Sequence, residues 1–134
     1  MADDLAARLA RVANNHTLQL VHKGRKSGKS YEVTIWFLVE GATLYLVTAS
    51  LQRQWPRNLG VNPGVTLKIA DQTFTGKAEQ ITDESGRAHV TDLVGRKYWY
   101  ALPYIRVFRM LANAGLVKDR SGSFRVRLDG AVAS

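Results

Sequence analysis

The sequence predicts a mainly β (α+β) fold, a small antiparallel β-barrel of about six strands decorated by helices. Three observations carry that expectation. Residues 31–39 are dense in β-branched and aromatic side chains, the composition that suits a central, pleated strand. Other alternating segments flank this run, separated by hairpin punctuation such as Glu40-Gly41-Ala42 and Asp71-Gln72. Helical spacing is confined to the N-terminal segment, a short stretch after the third strand, and the region between the fifth and last strands. At 134 residues the chain can bury one real core and would starve two, so residues 1–134 are expected to form a single domain.

Asp3 or Asp4 can cap a first helix in which Leu5, Leu9 and Val12 recur at helical spacing, with Asn14-Asn15 as its stop. That helix presents one apolar face and is expected to act as a lid. Residues 17–23 then alternate, with Leu18, Leu20 and His22 on one face and Gln19 and Val21 on the other, the pattern of a half-buried strand. In residues 31–39, Val33, Ile35, Phe37 and Val39 face one side while Thr34, Trp36 and Leu38 face the other. Two apolar faces need cover on both sides. A barrel interior can supply one cover, and a helix, a partner subunit or a planar ligand the other.

Residues 43–48 return as the hairpin partner. A short helix over residues 54–61, ended by Asn62-Pro63-Gly64, puts Trp55 and Asn58 one turn apart with Leu59 beside them. Residues 65–70 and 73–82 make the next hairpin around Asp71-Gln72. A helical stretch runs from Asp83 to Tyr98, and a second over residues 103–116 carries Ile105, Phe108, Leu111 or Ala112, and Leu116 on one face. Residues 122–128 close the sheet, with Phe124, Val126 and Leu128 alternating against Arg125 and Arg127, and residues 130–134 are expected as a ragged tail.

Nineteen Lys and Arg against eleven Asp and Glu give a net charge of +8, which favours an anionic partner. The bases are dispersed and no helix-turn-helix, zinc-finger or RRM signature is present, so nucleic acid is not the expected partner. The chain has no cysteine and therefore no disulfide, thiolate ligand or thiol nucleophile. His16, His22 and His89 share no ligand spacing, and no metal site is expected. No apolar run approaches a membrane span, and the chain opens on Asp3 and Asp4 where a signal peptide carries bases, so a cytoplasmic location is expected. Hydrolase chemistry has nothing to stand on, because no nucleophile elbow or paired-carboxylate pattern occurs.

The densest chemistry lies in the turn Gly24-Arg25-Lys26-Ser27-Gly28-Lys29. Lys23, Arg25, Lys26 and Lys29 are interrupted by no acid. Two glycines let the backbone take positive φ and approach a ligand, and the Ser27 hydroxyl adds a donor beside the cations. Those are the requirements of a phosphate site, although a solvated basic hairpin would show the same composition. Elsewhere, residues 97–108 concentrate Tyr98, Trp99, Tyr100, Tyr104 and Phe108, either as core or as an overhang from which a tyrosine hydroxyl could donate a proton.

The segments Gly24-Arg25-Lys26-Ser27-Gly28, Val33-Thr34-Ile35-Trp36-Phe37, Leu44-Tyr45-Leu46-Val47 and Trp55-Pro56-Arg57-Asn58-Leu59-Gly60-Val61-Asn62-Pro63 resemble, in order and spacing, the deazaflavin-dependent nitroreductase family. That family belongs to the split β-barrel flavin/deazaflavin superfamily, with the pyridoxamine-phosphate-oxidase-like proteins. The resemblance covers residues 16–82 and implies a homodimeric split barrel that binds coenzyme F420 and passes hydride to a small apolar acceptor such as a quinone, nitro compound or enone. It implies that Arg25, Lys26, Ser27 and Gly28 hold the cofactor phosphate, with Lys29 adding longer-range attraction. Thr34, Ile35 and Trp36 would border the ring together with Thr48, Ala49 and Ser50, and Trp55, Arg57 and Asn58 would finish the wall. The chain departs from the family in having Thr34 where proline is common and only residues 50–54 in place of a longer Lys-bearing loop.

FMN is the alternative cofactor, since it too is anionic and planar. A barrel of this fold that binds a cofactor or lipophile without turnover is the alternative function. Tyr98, Tyr100 and Tyr104 are the candidate catalytic residues, as proton donors to the acceptor. The missing catalytic signature fits a reaction in which the cofactor does the redox work.

Overall fold

A computed structural model describes residues 2–48, 50–99, 102–114 and 121–133. In chain order the elements are α1 (Ala2–Val12), β1 (Thr17–Lys23), β2 (Ser30–Glu40), β3 (Thr43–Thr48) and α2 (Gln54–Leu59). There follow β4 (Gly64–Ile69), β5 (Gln72–Gln80), α3 (Glu84–Lys97), α4 (Leu102–Asn113) and β6 (Gly122–Ala133). The six strands close into an antiparallel barrel ordered β1-β2-β3-β6-β5-β4, with β4 pairing back onto β1. This is the barrel the alternation predicts, with its N-terminal helix and with helices between the fifth and last strands.

The interior follows from the period of two along each strand. Leu18 and Leu20 of β1, Ile35 and Phe37 of β2, Leu44 and Leu46 of β3, and Phe74, Phe124 and Val126 beyond them are all buried in one cluster. Leu9 and Val12 of α1 join it, as do Trp55 and Leu59 of α2, so the two helices add to the barrel core. The opposite face of β2 carries a second cluster, in which Leu38 and Tyr45 meet Ile81, Val90 and Tyr98, with Trp36 packed against them. The second apolar face of β2 is thus covered from within the chain, by α3 and the residue after it. Asp83 caps α3 by accepting from the Gly86 N–H at 2.8 Å, and His89 ties the helix to Glu40 of β2 at 2.9 Å.

Several boundaries differ from expectation for local reasons. α1 begins at Ala2, so Asp3 and Asp4 lie within the helix rather than before it. α2 stops at Leu59; the N–H groups of Val61 and Asn62 still turn back onto the Asn58 carbonyl, and Pro63 then has no N–H to continue the ladder. The β4–β5 turn sits on Ala70 and Asp71, with Ala70 at φ 53°, a conformation that costs an alanine on the order of 1 kcal/mol. The expected ragged tail is instead the second half of β6, paired with β5 from Thr75↔Gly130 to Gln72↔Ala133. A register shift between Thr75 and Gly76 makes that extension possible, and a Cβ on Gly76 would lie 2.4 Å from the Arg127 carbonyl oxygen, so only glycine fits. Leu116 lies outside the described residues, as do the side chains of Ile105, Phe108 and Ala112. On the rest of α4, Leu111 is half-buried while Tyr104, Val107 and Met110 are exposed. Among the described residues no helix is long and apolar enough to cross a membrane.

Candidate functional site

Because β1 and β2 pair from Thr17↔Trp36 to Lys23↔Ser30, residues 24–29 are the loop of that hairpin. The loop closes on itself: Gly24 N–H donates to the Lys29 carbonyl at 2.8 Å, and Gly28 N–H to the Gly24 carbonyl at 3.0 Å. Gly28 makes the reversal at φ 71°, in the region that favours glycine, with open space where a Cβ would stand. Lys29 N–H donates to Ser27 Oγ at 3.2 Å. Lys26, Ser27, Gly28 and Lys29 are exposed, while Arg25 is half-buried.

Arg25 is held from across the chain. Asn58 Oδ1 accepts both the Arg25 backbone N–H at 3.1 Å and its Nη1 at 2.8 Å, and Gln54 Oε1 accepts Nη1 at 2.9 Å. Asn62 Nδ2 donates to the Gly24 carbonyl at 3.1 Å. Both asparagines of the Trp55-to-Pro63 segment therefore pin the basic turn. On its other side the Asn58 amide meets His22 Nδ1 at 3.0 Å, deep enough that Asn58 and His22 are both buried. Burial lowers the His22 pKa from its ordinary 6.5.

Between the turn and α2 lies an open cleft of about 570 Å³. Its lining includes Arg25, Lys26 and Ser27 from the turn, His22, Tyr31, Glu32 and Val33 from β1 and β2, and Arg53, Gln54, Trp55 and Asn58 from the α2 side. Three cations, one carboxylate, the turn hydroxyl and apolar side chains make it a site for an anion that also carries an apolar body. An anionic cofactor fits this lining: the turn leaves open space at Gly28, and cations stand on both the turn side, as Arg25 and Lys26, and the α2 side, as Arg53.

The sequence-predicted residues divide accordingly. Arg25, Lys26, Ser27, Trp55 and Asn58 come together at the cleft, with Gly28 and Lys29 in the same turn. Arg57 is exposed on α2 and is not among the lining residues. On β2, the cleft takes in Glu32 and Val33; Thr34 is exposed, Ile35 is buried in the barrel, and Trp36 stacks on Tyr98. Thr48 and Ser50 bond to each other, Thr48 Oγ1 donating to the Ser50 carbonyl at 2.9 Å. Ala49 and Tyr100 lie outside the described residues. Trp55 is buried against Phe124, with ring centroids 5.5 Å apart, so it serves the core and the cleft wall together.

Sequence spacing does not mark His22, Tyr31, Glu32, Val33, Arg53 or Gln54 for the cleft, nor Asn62 for the turn. Only Asn62 left a signal, since it repeats the Asn58 amide one helical turn on.

Of the candidate tyrosines, Tyr104 is exposed on α4. Tyr98 is fully buried and its hydroxyl is occupied. One step beyond the last β1–β2 rung, His16 would face Phe37, and the Tyr98 hydroxyl stands in that rung. It accepts the Phe37 N–H at 3.2 Å and donates to the His16 carbonyl at 2.6 Å. Lys97 Nζ satisfies the Phe37 carbonyl at 2.9 Å and sits 3.5 Å from the Phe37 ring centroid. Burial pushes the Lys97 pKa down to about 8. The partly wet hydroxyl expected of a donor is not what the structure gives Tyr98, because strand pairing ends at Thr17 and the freed backbone groups claim it.

Fold and cleft together define a small six-stranded barrel with a basic, glycine-turned cleft at its first hairpin. The sequence profile of the F420H(2)-dependent quinone reductase family matches residues 5–102, and the chain belongs to that family, a family of oxidoreductases whose cofactor is F420. Among curated proteins no sequence matches the chain. Solved structures agree on the fold. An F420 reductase aligns at 18% identity with a TM-score of 0.65, over 92% of this chain and 94% of its own. The conserved hypothetical protein Rv2991 from Mycobacterium tuberculosis aligns at 19% identity and 0.69, over 93% and 81%. The heme storage protein HutZ from Vibrio cholerae aligns at 17% identity and 0.64, over 96% and 94%.

Proposed function

We propose that the protein is a reductase that passes hydride from reduced F420 to a small apolar acceptor of the quinone, nitro compound or enone class, and that it works in the cytoplasm. The observation that carries this reading is the Arg25 turn, pinned by Asn58 from 33 positions away and opening on a cleft with an apolar wall. Arg25, Lys26, Ser27 and Gly28 hold the cofactor phosphate through charge-assisted hydrogen bonds, and Lys29 adds attraction from the rim. Trp55 and Asn58 wall the cleft, and Arg57, exposed on α2 outside the lining, is proposed to finish the wall once the cofactor is bound. Thr34, Ile35 and Trp36, with Thr48, Ala49 and Ser50, remain the proposed border of the ring. When bound, the reduced cofactor supplies the hydride; the chain's own work is to bind, orient and keep water from the path. Of the candidate tyrosines that are described, Tyr104 is the one left as proton donor, since Tyr98 is committed to backbone.

Absorbance titrations with F420 and with FMN test the reading. We expect saturable spectral change with F420 and oxidation of the reduced cofactor on adding a quinone such as menadione. Saturation by FMN alone would transfer the site to flavin, and binding without oxidation by any acceptor class would make the protein a carrier.

A homodimer belongs to the same reading. The outer face of β2 no longer argues for it, because α3 covers that face. What supports it is the apolar surface left on Trp99 (69% exposed), Tyr104 (80%), Val107 and Met110. Light scattering at micromolar concentration should give twice the chain mass; the mass of one chain would remove the dimer.

A further inference from the structure

His22 is buried beside the cleft, and nothing in the reaction above uses it. Its partner fixes its chemistry. Asn58 Oδ1 receives two N–H groups, from the Arg25 backbone and from Nη1, so that atom is the carbonyl oxygen of the amide. The atom facing His22 Nδ1 at 3.0 Å is therefore the amide nitrogen, which can only donate. Nδ1 must accept, which leaves the ring neutral with its proton on Nε2.

We propose that His22 is the positioning residue of the anion site: its unprotonated Nδ1 locks the Asn58 amide in the one orientation that holds Arg25 and the basic turn in place. The inference rests on the cleft being the cofactor-phosphate site and adds what sets its geometry. A proton on Nδ1 would set N–H against NH₂. The amide would then have to separate from the ring or turn over, and turning over aims its NH₂ at the Arg25 N–H and guanidinium. In either case the turn loses its strut.

The surroundings keep His22 neutral. Removal from water disfavours the imidazolium. Among the cleft-lining residues Arg25, Lys26 and Arg53 carry positive charge and Glu32 negative, and the Tyr31 ring stacks on His22 with centroids 5.8 Å apart. With the folded-state pKa below 6.5, the unfolded chain binds more protons as pH falls past that value. Stability and site order are therefore full above about 6.5 and are lost as pH drops through the folded-state pKa.

The test compares the parent chain with His22→Asn, which keeps an acceptor near Nδ1 and cannot titrate, and His22→Phe, which keeps the ring and its stacking and removes the acceptor. Nitrogen-15 NMR of the parent should show an Nε2–H ring, with the Arg25 backbone amide moving along the His22 titration between pH 8 and 5. F420 affinity should fall roughly tenfold over that range in the parent. His22→Phe should bind roughly tenfold more weakly at pH 7.5, and His22→Asn close to the parent. Differences among chains cancel the ligand's own titration, so both variants should lack the acid loss that the parent adds.

An Arg25 amide indifferent to His22 protonation, or parental affinity in His22→Phe, would overturn the inference. If His22→Phe does not fold, the parent NMR titration and the flat profile of His22→Asn decide it. If no chain binds F420, the proposed function falls, and the Arg25 amide still decides the positioning role by itself.

Discussion

Alanine at both Arg25 and Lys26 is expected to weaken F420 binding by about 2–4 kcal/mol, roughly 30- to 700-fold, while the barrel stays folded. The two bases differ in how they reach that loss. Lys26 is exposed and contributes a mobile charge, strongest at low salt. Arg25 is held on Asn58 and Gln54 through Nη1, which leaves the rest of its guanidinium free of that task and already ordered. Less rotamer freedom is lost when a prepositioned donor meets a ligand, so Arg25→Ala should account for more of the loss than Lys26→Ala.

Stability should change little, because the bonds lost lie in a part-exposed turn outside the barrel clusters. Absorbance titration for affinity and thermal unfolding by circular dichroism separate the two outcomes. Parental affinity in a folded double variant would take the turn out of the site.

The turn was legible in the sequence because its signal is local: bases, two glycines and a serine within six residues need no partner to be recognised. What organises it was not legible. Asn58 reaches Arg25 across 33 positions and His22 across 36, and Asn62 reaches Gly24 across 38. An amide on a short helix could face any element, so spacing marks Asn58 as available and register decides its partner. The same division runs through the fold. Two apolar faces on β2 announced that both needed cover, but only the packing of α3 shows which element supplies the second. The last residues of β6 carry Gly130 and Ala131 with little apolar alternation, and their strand exists because β5 offers a ladder to complete. Tyr98 shows the limit most clearly, since an aromatic cluster was visible and the place of its hydroxyl depended on where β1 ends.

Tyr98→Phe is expected to cost about 1–3 kcal/mol of stability and about 5–10 °C of melting temperature, with F420 affinity unchanged. The substitution removes one oxygen and keeps the ring, so the stack on Trp36, at 4.0 Å between centroids and 4° between planes, should persist. What goes is the inserted rung. Phe37 N–H, in the buried interior, loses its acceptor, and the His16 carbonyl loses the donor at 2.6 Å. The gap left by one oxygen between two strands is too narrow to admit water on favourable terms, so the N–H bears most of its desolvation cost. Lys97 still reaches the Phe37 carbonyl, which caps the loss. Affinity should hold because Tyr98 is absent from the cleft lining and packs on the outer face of β2. Thermal unfolding and cofactor titration of the same sample read the two quantities. A variant as stable as its parent whose turnover collapses would return Tyr98 to the reaction as a proton donor.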